Sequence, residues 1–119
     1  MGNFCVSISH AKDNVDKATV GFVVANAAVG SEQDTVVFVS SEGAHLAVKG
    51  YADDMHEEGF APLKELMTNF VEAGGNIWVC SPCFKKRGYE ESDLIEGSTL
   101  VGGAKLVELL VGGTPHVTY

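Results

Sequence analysis

Apolar residues fall into short runs separated by polar or glycine-rich breaks, and the spacing within the runs takes two forms. The runs Asn3 to Ser9 (NFCVSIS), Thr35 to Ser40 (TVVFVS) and Asn76 to Cys80 (NIWVC) are short and rich in β-branched and aromatic residues, which predicts strands. The second has no polar alternation, the pattern of a strand covered on both faces in a parallel sheet. Between the first two lies a helical segment, capped by Asp13 or Asn14, with Asp16 in its first turn and Gly30 as its stop. Val15, Ala18, Phe22, Ala25 and Val29 make its core stripe. Val20, Val23, Val24, Ala27 and Ala28 fill much of the remaining circumference, so burial on a second side, against another subunit, is expected. A further helix follows Pro62, which suits a first turn; Leu63, Leu66, Met67, Phe70 and Val71 recur with helical spacing until Gly74-Gly75 ends it.

The remaining segments complete the alternation. SEGAHLAVKGY predicts a short helix and ADDMHEEG a polar loop, while SPCFKKRG predicts about two helical turns stopped by Gly88. Glu91 to Ile95 reads as a helical turn, Ser98 to Val101 as a short strand, Gly103 to Val111 as a helix and PHVTY as a last strand. Strands and helices in this order predict a three-layer α/β/α fold with an open, mostly parallel five-stranded sheet. A chain of 119 residues allows a single domain, 1–119.

Charge narrows the function classes. Sixteen acidic against eight basic residues give a net charge of -8, which repels phosphate, so nucleic acid and anionic membrane surfaces are poor partners. The longest mostly apolar stretch, Ala18 to Gly30, is 13 residues long, whereas a membrane span takes about 20. The start MGNFCVSISH has neither a basic segment nor an apolar core of the secretory type, and a cytoplasmic location is expected. Three cysteines (Cys5, Cys80, Cys83) form an odd set that a reducing compartment keeps as thiols.

The strongest chemical feature is Cys80-Ser81-Pro82-Cys83, a C-x-x-C where a strand ends and a helix begins. That is the edge of a parallel sheet where ligands and active sites gather. With Ser81 as N-cap and Pro82 as the first helical residue, both sulfurs would face free backbone N–H groups and the positive helix end, which favours thiolate. Two competing readings are a zinc half-site, which lacks a second C-x-x-C or paired histidines, and thiols that are simply small apolar residues. Cys5, in mid-strand, reads as core. His10 and His45 follow the first two strands and are candidate acid, base or anion contacts at the same edge, or plain loop residues. Asp53, Asp54, His56, Glu57 and Glu58 match no calcium loop or zinc helix and read as solvated loop, and the Gly pairs at 102–103 and 112–113 match no phosphate loop. The basic run Lys85, Lys86 and Arg87 complements a helix C-terminus and solvates a face. No metal site and no cofactor are expected.

Taken together, VVFVSSEG (Val36 to Gly43), VCSPCFKKRGY (Val79 to Tyr89), GSTLVGGAKLVELL (Gly97 to Leu110) and the final short strand resemble the DsrE/DsrF-like family of small sulfur-relay proteins, which includes TusD. The order holds over nearly all of the chain. The resemblance implies a DsrEFH-like, Rossmann- or flavodoxin-like architecture and a persulfide on the cysteine that ends the strand eight residues before the glycine of a basic-basic-Gly segment. Here these residues are Cys80 and Gly88. It also implies homo- or hetero-oligomers, with sulfur donor and acceptor proteins as partners. Cys83 matches a second cysteine found in a subset of relatives and is the candidate resolving thiol, while Ser81, Glu42, His45 and His10 are candidate binding residues. Two alternatives are carried alongside sulfur relay, whether as sulfurtransferase or as carrier: a C-x-x-C thiol–disulfide redox protein acting on peroxide or disulfide, and a non-enzymatic oligomeric binding module.

Overall fold

The structure, a computed structural model, describes residues 3–119. Five strands, β1 (Asn3–Ile8), β2 (Asp34–Val39), β3 (Asn76–Cys80), β4 (Ser98–Val101) and β5 (His116–Thr118), join in the order β4-β3-β2-β1-β5. Every neighbouring pair is parallel. From β1 to β4 the chain steps in one direction, then returns across the sheet to β5. Because parallel crossovers are right-handed, the first three connections lie over one face and the return lies over the other.

The helices follow that rule. Helices α1 (Val15–Gly30) and α2 (Leu63–Glu72) cover Val6, Ile8, Val37, Val39, Ile77 and Val79, and α3 (Ser81–Lys86) adds the buried Phe84 to the same core. Among the described residues α4 (Gly103–Val111) alone supplies a helix to the opposite face, where Leu106, Leu109 and Leu110, with Trp78 and Cys80, pack on Cys5, Phe38 and Val101. No α4 residue is fully buried, and Val107 and Val111 are 59% and 80% exposed.

Helix α1 begins where expected, with the Asn14 side chain accepting from the Lys17 N–H at 3.1 Å. Its core stripe is covered by α2 as well as by the sheet. Phe22 meets Phe70 of α2 edge to face at 5.8 Å, and the Asn26 amide donates to the Leu66 carbonyl at 3.0 Å. On the second side of α1 Val20, Val23, Val24 and Ala28 are half-buried and Ala27 is exposed, while α4 leaves larger apolar residues open at Val107 and Val111.

Other departures are local. The segment after β2 is a 3₁₀ helix, Ser41–Ala47, entered through Ser41 at φ 52° and pressed against the end of β1. The expected polar loop begins with a second 3₁₀ turn, Tyr51–Asp54, and hides Met55 in the core. Pro62 precedes α2 as its cap residue in extended backbone, one step earlier than a first-turn proline. The turn after α3 is shorter than expected, Glu91–Asp93.

Candidate functional site

Strand β3 runs into α3 without an intervening turn. Cys80, not Ser81, occupies the N-cap position, and Ser81 is the first helical residue with Pro82 after it. No side chain caps this helix; the missing proline N–H leaves one fewer donor to satisfy. Cys80 faces the α4 side of the sheet, packed in the smaller core, whereas Cys83 packs against the larger one. Their sulfurs meet across the first turn: the Cys83 thiol donates to Cys80 Sγ at 2.7 Å, and both residues are half-buried.

The wall beside the thiols is built from Ser41–Ala47. Gly43 lies so close to β1 that an added Cβ would sit 2.2 Å from the Ile8 carbonyl oxygen, and this approach carries Glu42 and His45 to the C-terminal edge of the sheet. Arg87 ties that segment to α3. Its Nη1 donates to the Cys83 carbonyl at 3.0 Å, while Nε and Nη2 reach Glu42 Oε2 at 3.2 and 2.8 Å. Glu42 Oε1 lies 3.7 Å from His45 Nε2, and His45 Nδ1 shares a hydrogen bond with the Tyr89 hydroxyl at 2.8 Å. Tyr51 stacks on the His45 ring at 5.0 Å, and Tyr89 leans on Phe84. The result is a continuous network from Cys83 through Arg87 and Glu42 to His45 and Tyr89.

Electrostatics corrects the expectation of a thiolate at Cys80. Burial pushes its thiol above the ordinary range, and the hydrogen bond shared with Cys83 adds to the rise; the Cys83 backbone N–H and the Arg87 guanidinium pull the other way without reversing it. A six-residue helix cannot offset that desolvation. Cys5, fully buried, is pushed up to about 11. Since the thiolate is the nucleophile, alkylation of Cys80 should climb by nearly tenfold per pH unit from pH 7 to 8.5. A labelling-rate profile already level at pH 7 would contradict this. Arg87→Met, which removes the charge favouring thiolate, should slow labelling at pH 8, because it raises the pKa further.

Of the candidate residues, Cys80, Cys83, Glu42 and His45 come together, and Ser81 sits between the cysteines in sequence at the helix start. His10 is engaged instead with the loop after β1. Its Nδ1 pairs with Asp13 at 2.6 Å, and Asp13 also accepts from the Ala11 N–H, which, more than His10, holds its carboxyl low. Arg87 and Tyr89 had no site role in the sequence reading. The signal for Arg87 was its spacing: four residues after Cys83 on a helix is the same face, and its side chain is only 18% exposed. Asp53 and Asp54 pair with Lys64 and Lys12, each at 3.2 Å, as an acidic surface loop does. Among the described residues no group of three or more His, Cys, Asp or Glu is placed to hold a metal ion, and no helix is long and apolar enough to cross a membrane.

An all-parallel five-stranded α/β sheet with a cysteine pair at the C-terminal end of an inner strand defines the class of fold. The chain belongs to the DsrE/DsrF-like family, whose model matches residues 2–118. It is 30% identical over 97 residues to the uncharacterized protein MJ0760 of Methanocaldococcus jannaschii, covering 82% of this chain but only 35% of that protein. To the uncharacterized protein MJ0989 of the same organism it is 28% identical, with 98% of each chain covered. Among solved structures, the ychN protein from E. coli superposes with a TM-score of 0.85 over 100% of both chains at 16% identity. MTH1491 from Methanobacterium thermoautotrophicum, of unknown function, gives 0.72 at 15% identity, also over 100% of both chains. These structures share the fold.

Proposed function

We propose that this protein relays sulfur. The Cys80 thiolate attacks the outer sulfur of a donor persulfide, holds it as Cys80-S-SH, and passes it to an acceptor thiol by the same exchange. The observation that carries this reading is the position of Cys80: a half-buried thiol ending β3, in a chain of the DsrE/DsrF-like family. Family membership suggests sulfur relay, and the Arg87–Glu42 anchor supports a fixed helix turn beneath the reacting sulfur. The thiol–disulfide redox reading draws on the 2.7 Å between the two sulfurs. A Cys83→Ser chain separates them, because it retains Cys80 but cannot close a disulfide. Exposed anaerobically to glutathione persulfide, it should gain the mass of one sulfur atom, removed by reductant; an unchanged mass sinks the relay reading.

The relay operates as an assembly of copies, with α4 as the contact. The chain carries a charge of -8, yet residues 97–118 hold only Lys105 and Glu108 and so contribute nothing to it. Two like-charged copies repel least there. Ala104, Val107 and Val111 form the outward stripe of α4, and an antiparallel pair of α4 helices brings Lys105 of one copy toward Glu108 of the other. A Val111→Asp substitution should shift the light-scattering mass toward 12.6 kDa. An unmodified chain already at that mass would remove the assembly, and a Val111→Asp chain of unchanged mass would move the contact elsewhere.

A further inference from the structure

A carrier needs one cysteine at this site, and the structure holds two in contact. On the reading that Cys80 accepts sulfane sulfur, on which this inference rests, we propose that Cys83 cuts the persulfide and releases its outer sulfur as hydrosulfide. The Cys83 thiolate, its proton given to solvent, attacks Cys80 Sγ, the inner sulfur of Cys80-S-SH. A Cys80–Cys83 disulfide bond forms, the bond between Cys80 Sγ and the outer sulfur breaks, and the outer sulfur leaves as HS⁻. Two electrons move: the two cysteine sulfurs are oxidised to the disulfide and the sulfane sulfur is reduced to sulfide. A further round requires an external dithiol to reduce the disulfide.

The geometry favours the inner sulfur. The two Sγ atoms already stand 2.7 Å apart, against about 2.05 Å in a disulfide, so the step asks for a small side-chain adjustment. Arg87 holds the turn that presents Cys83 by binding its carbonyl, and is itself held by Glu42. Attack within one helical turn has the advantage of a reaction between groups already brought together over an encounter with a dissolved thiol. In-line displacement at the inner sulfur sets the leaving outer sulfur opposite Cys83, which leaves that atom for an acceptor. The lifetime of the loaded state is therefore set by a race: an acceptor that docks in time takes sulfane sulfur, and one that arrives late finds a disulfide and free sulfide.

The test compares the wild-type chain with Cys83→Ser, each treated anaerobically with glutathione persulfide, desalted, and followed by intact mass and by trapping of sulfide with a bimane reagent. The wild-type chain should release one sulfide per chain and end two hydrogens lighter than its reduced form. Its loaded state should be shorter-lived than that of Cys83→Ser by roughly tenfold or more. Cys83→Ser should keep one extra sulfur atom and release no sulfide above the donor-only control, and Cys83→Ala should do the same if the serine hydroxyl perturbs the turn. A wild-type chain that keeps its sulfur as long as Cys83→Ser, with Cys83 still open to alkylation, overturns the release step while leaving the relay intact. Failure of Cys83→Ser to gain sulfur overturns both.

Discussion

A Cys80→Ser chain should take up no sulfur from glutathione persulfide, while its circular dichroism spectrum and melting profile should stay close to those of the parent. The two remaining thiols are placed differently from Cys80. Cys5 has no exposed surface and is pushed up to about 11 by burial; Cys83 lies within α3, packed against the larger core. The exchange of sulfur for oxygen at a half-buried N-cap position leaves the backbone untouched and introduces a hydroxyl that serine tolerates well in that place. Uptake by Cys80→Ser equal to the parent would transfer the reactive role to Cys83. Loss of the folded spectrum would make Cys80 a structural residue.

The largest stability effect is expected at Gly43→Ala. The added methyl would meet the Ile8 carbonyl oxygen at 2.2 Å and its carbon at 3.0 Å, and these are backbone atoms of a central strand, unable to swing aside. Overpacking usually costs about 1 to 3 kcal/mol, and a clash with strand backbone belongs at or beyond the upper end. In a chain of this size that lowers the thermal midpoint by roughly 10 °C or more. The substitution also moves Glu42 and His45 away from Arg87, so sulfur uptake should fall even below the melting range. A Gly43→Ala midpoint within two or three degrees of the parent would show that Ser41–Ala47 can lift off β1 at little cost. By contrast, Gly102 and Gly103 have open space around a built Cβ.

What the sequence disclosed and what it concealed divide along physical lines. Strands with continuous β-branched runs and helices with a clear stripe, such as α2, are specified locally, and they form where the pattern places them. Cys80 and Cys83 were legible because motif and position coincide at a strand–helix junction. Arg87 was hidden because basic residues ending a helix are ordinarily solvated, and only the fold brings Glu42 opposite it. The partner of α1 was hidden for the same reason: α2 meets it through Phe22 to Phe70 and Asn26 to Leu66. The ionisation of Cys80 was misjudged because the dipole of a short helix can be read from spacing, whereas desolvation in the smaller core cannot.

The placement of β5 beside β1 has a consequence for how the molecule comes into being. Ser7 and His116, hydrogen-bonded in the finished sheet, are 109 positions apart in the chain. The outer edge of β1 is satisfied by Cys5 N–H to the Pro115 carbonyl, Ser9 N–H to the Tyr119 carbonyl and Tyr119 N–H to the Ser7 carbonyl. In the order of synthesis β1 is followed by β2, with which it can pair early, and these partners come after both. Until then a central, apolar strand offers an open row of donors and acceptors to any neighbouring nascent chain. Closure of this sheet thus waits for β5, and crowded polysomes are where β1 would most readily pair with the wrong chain.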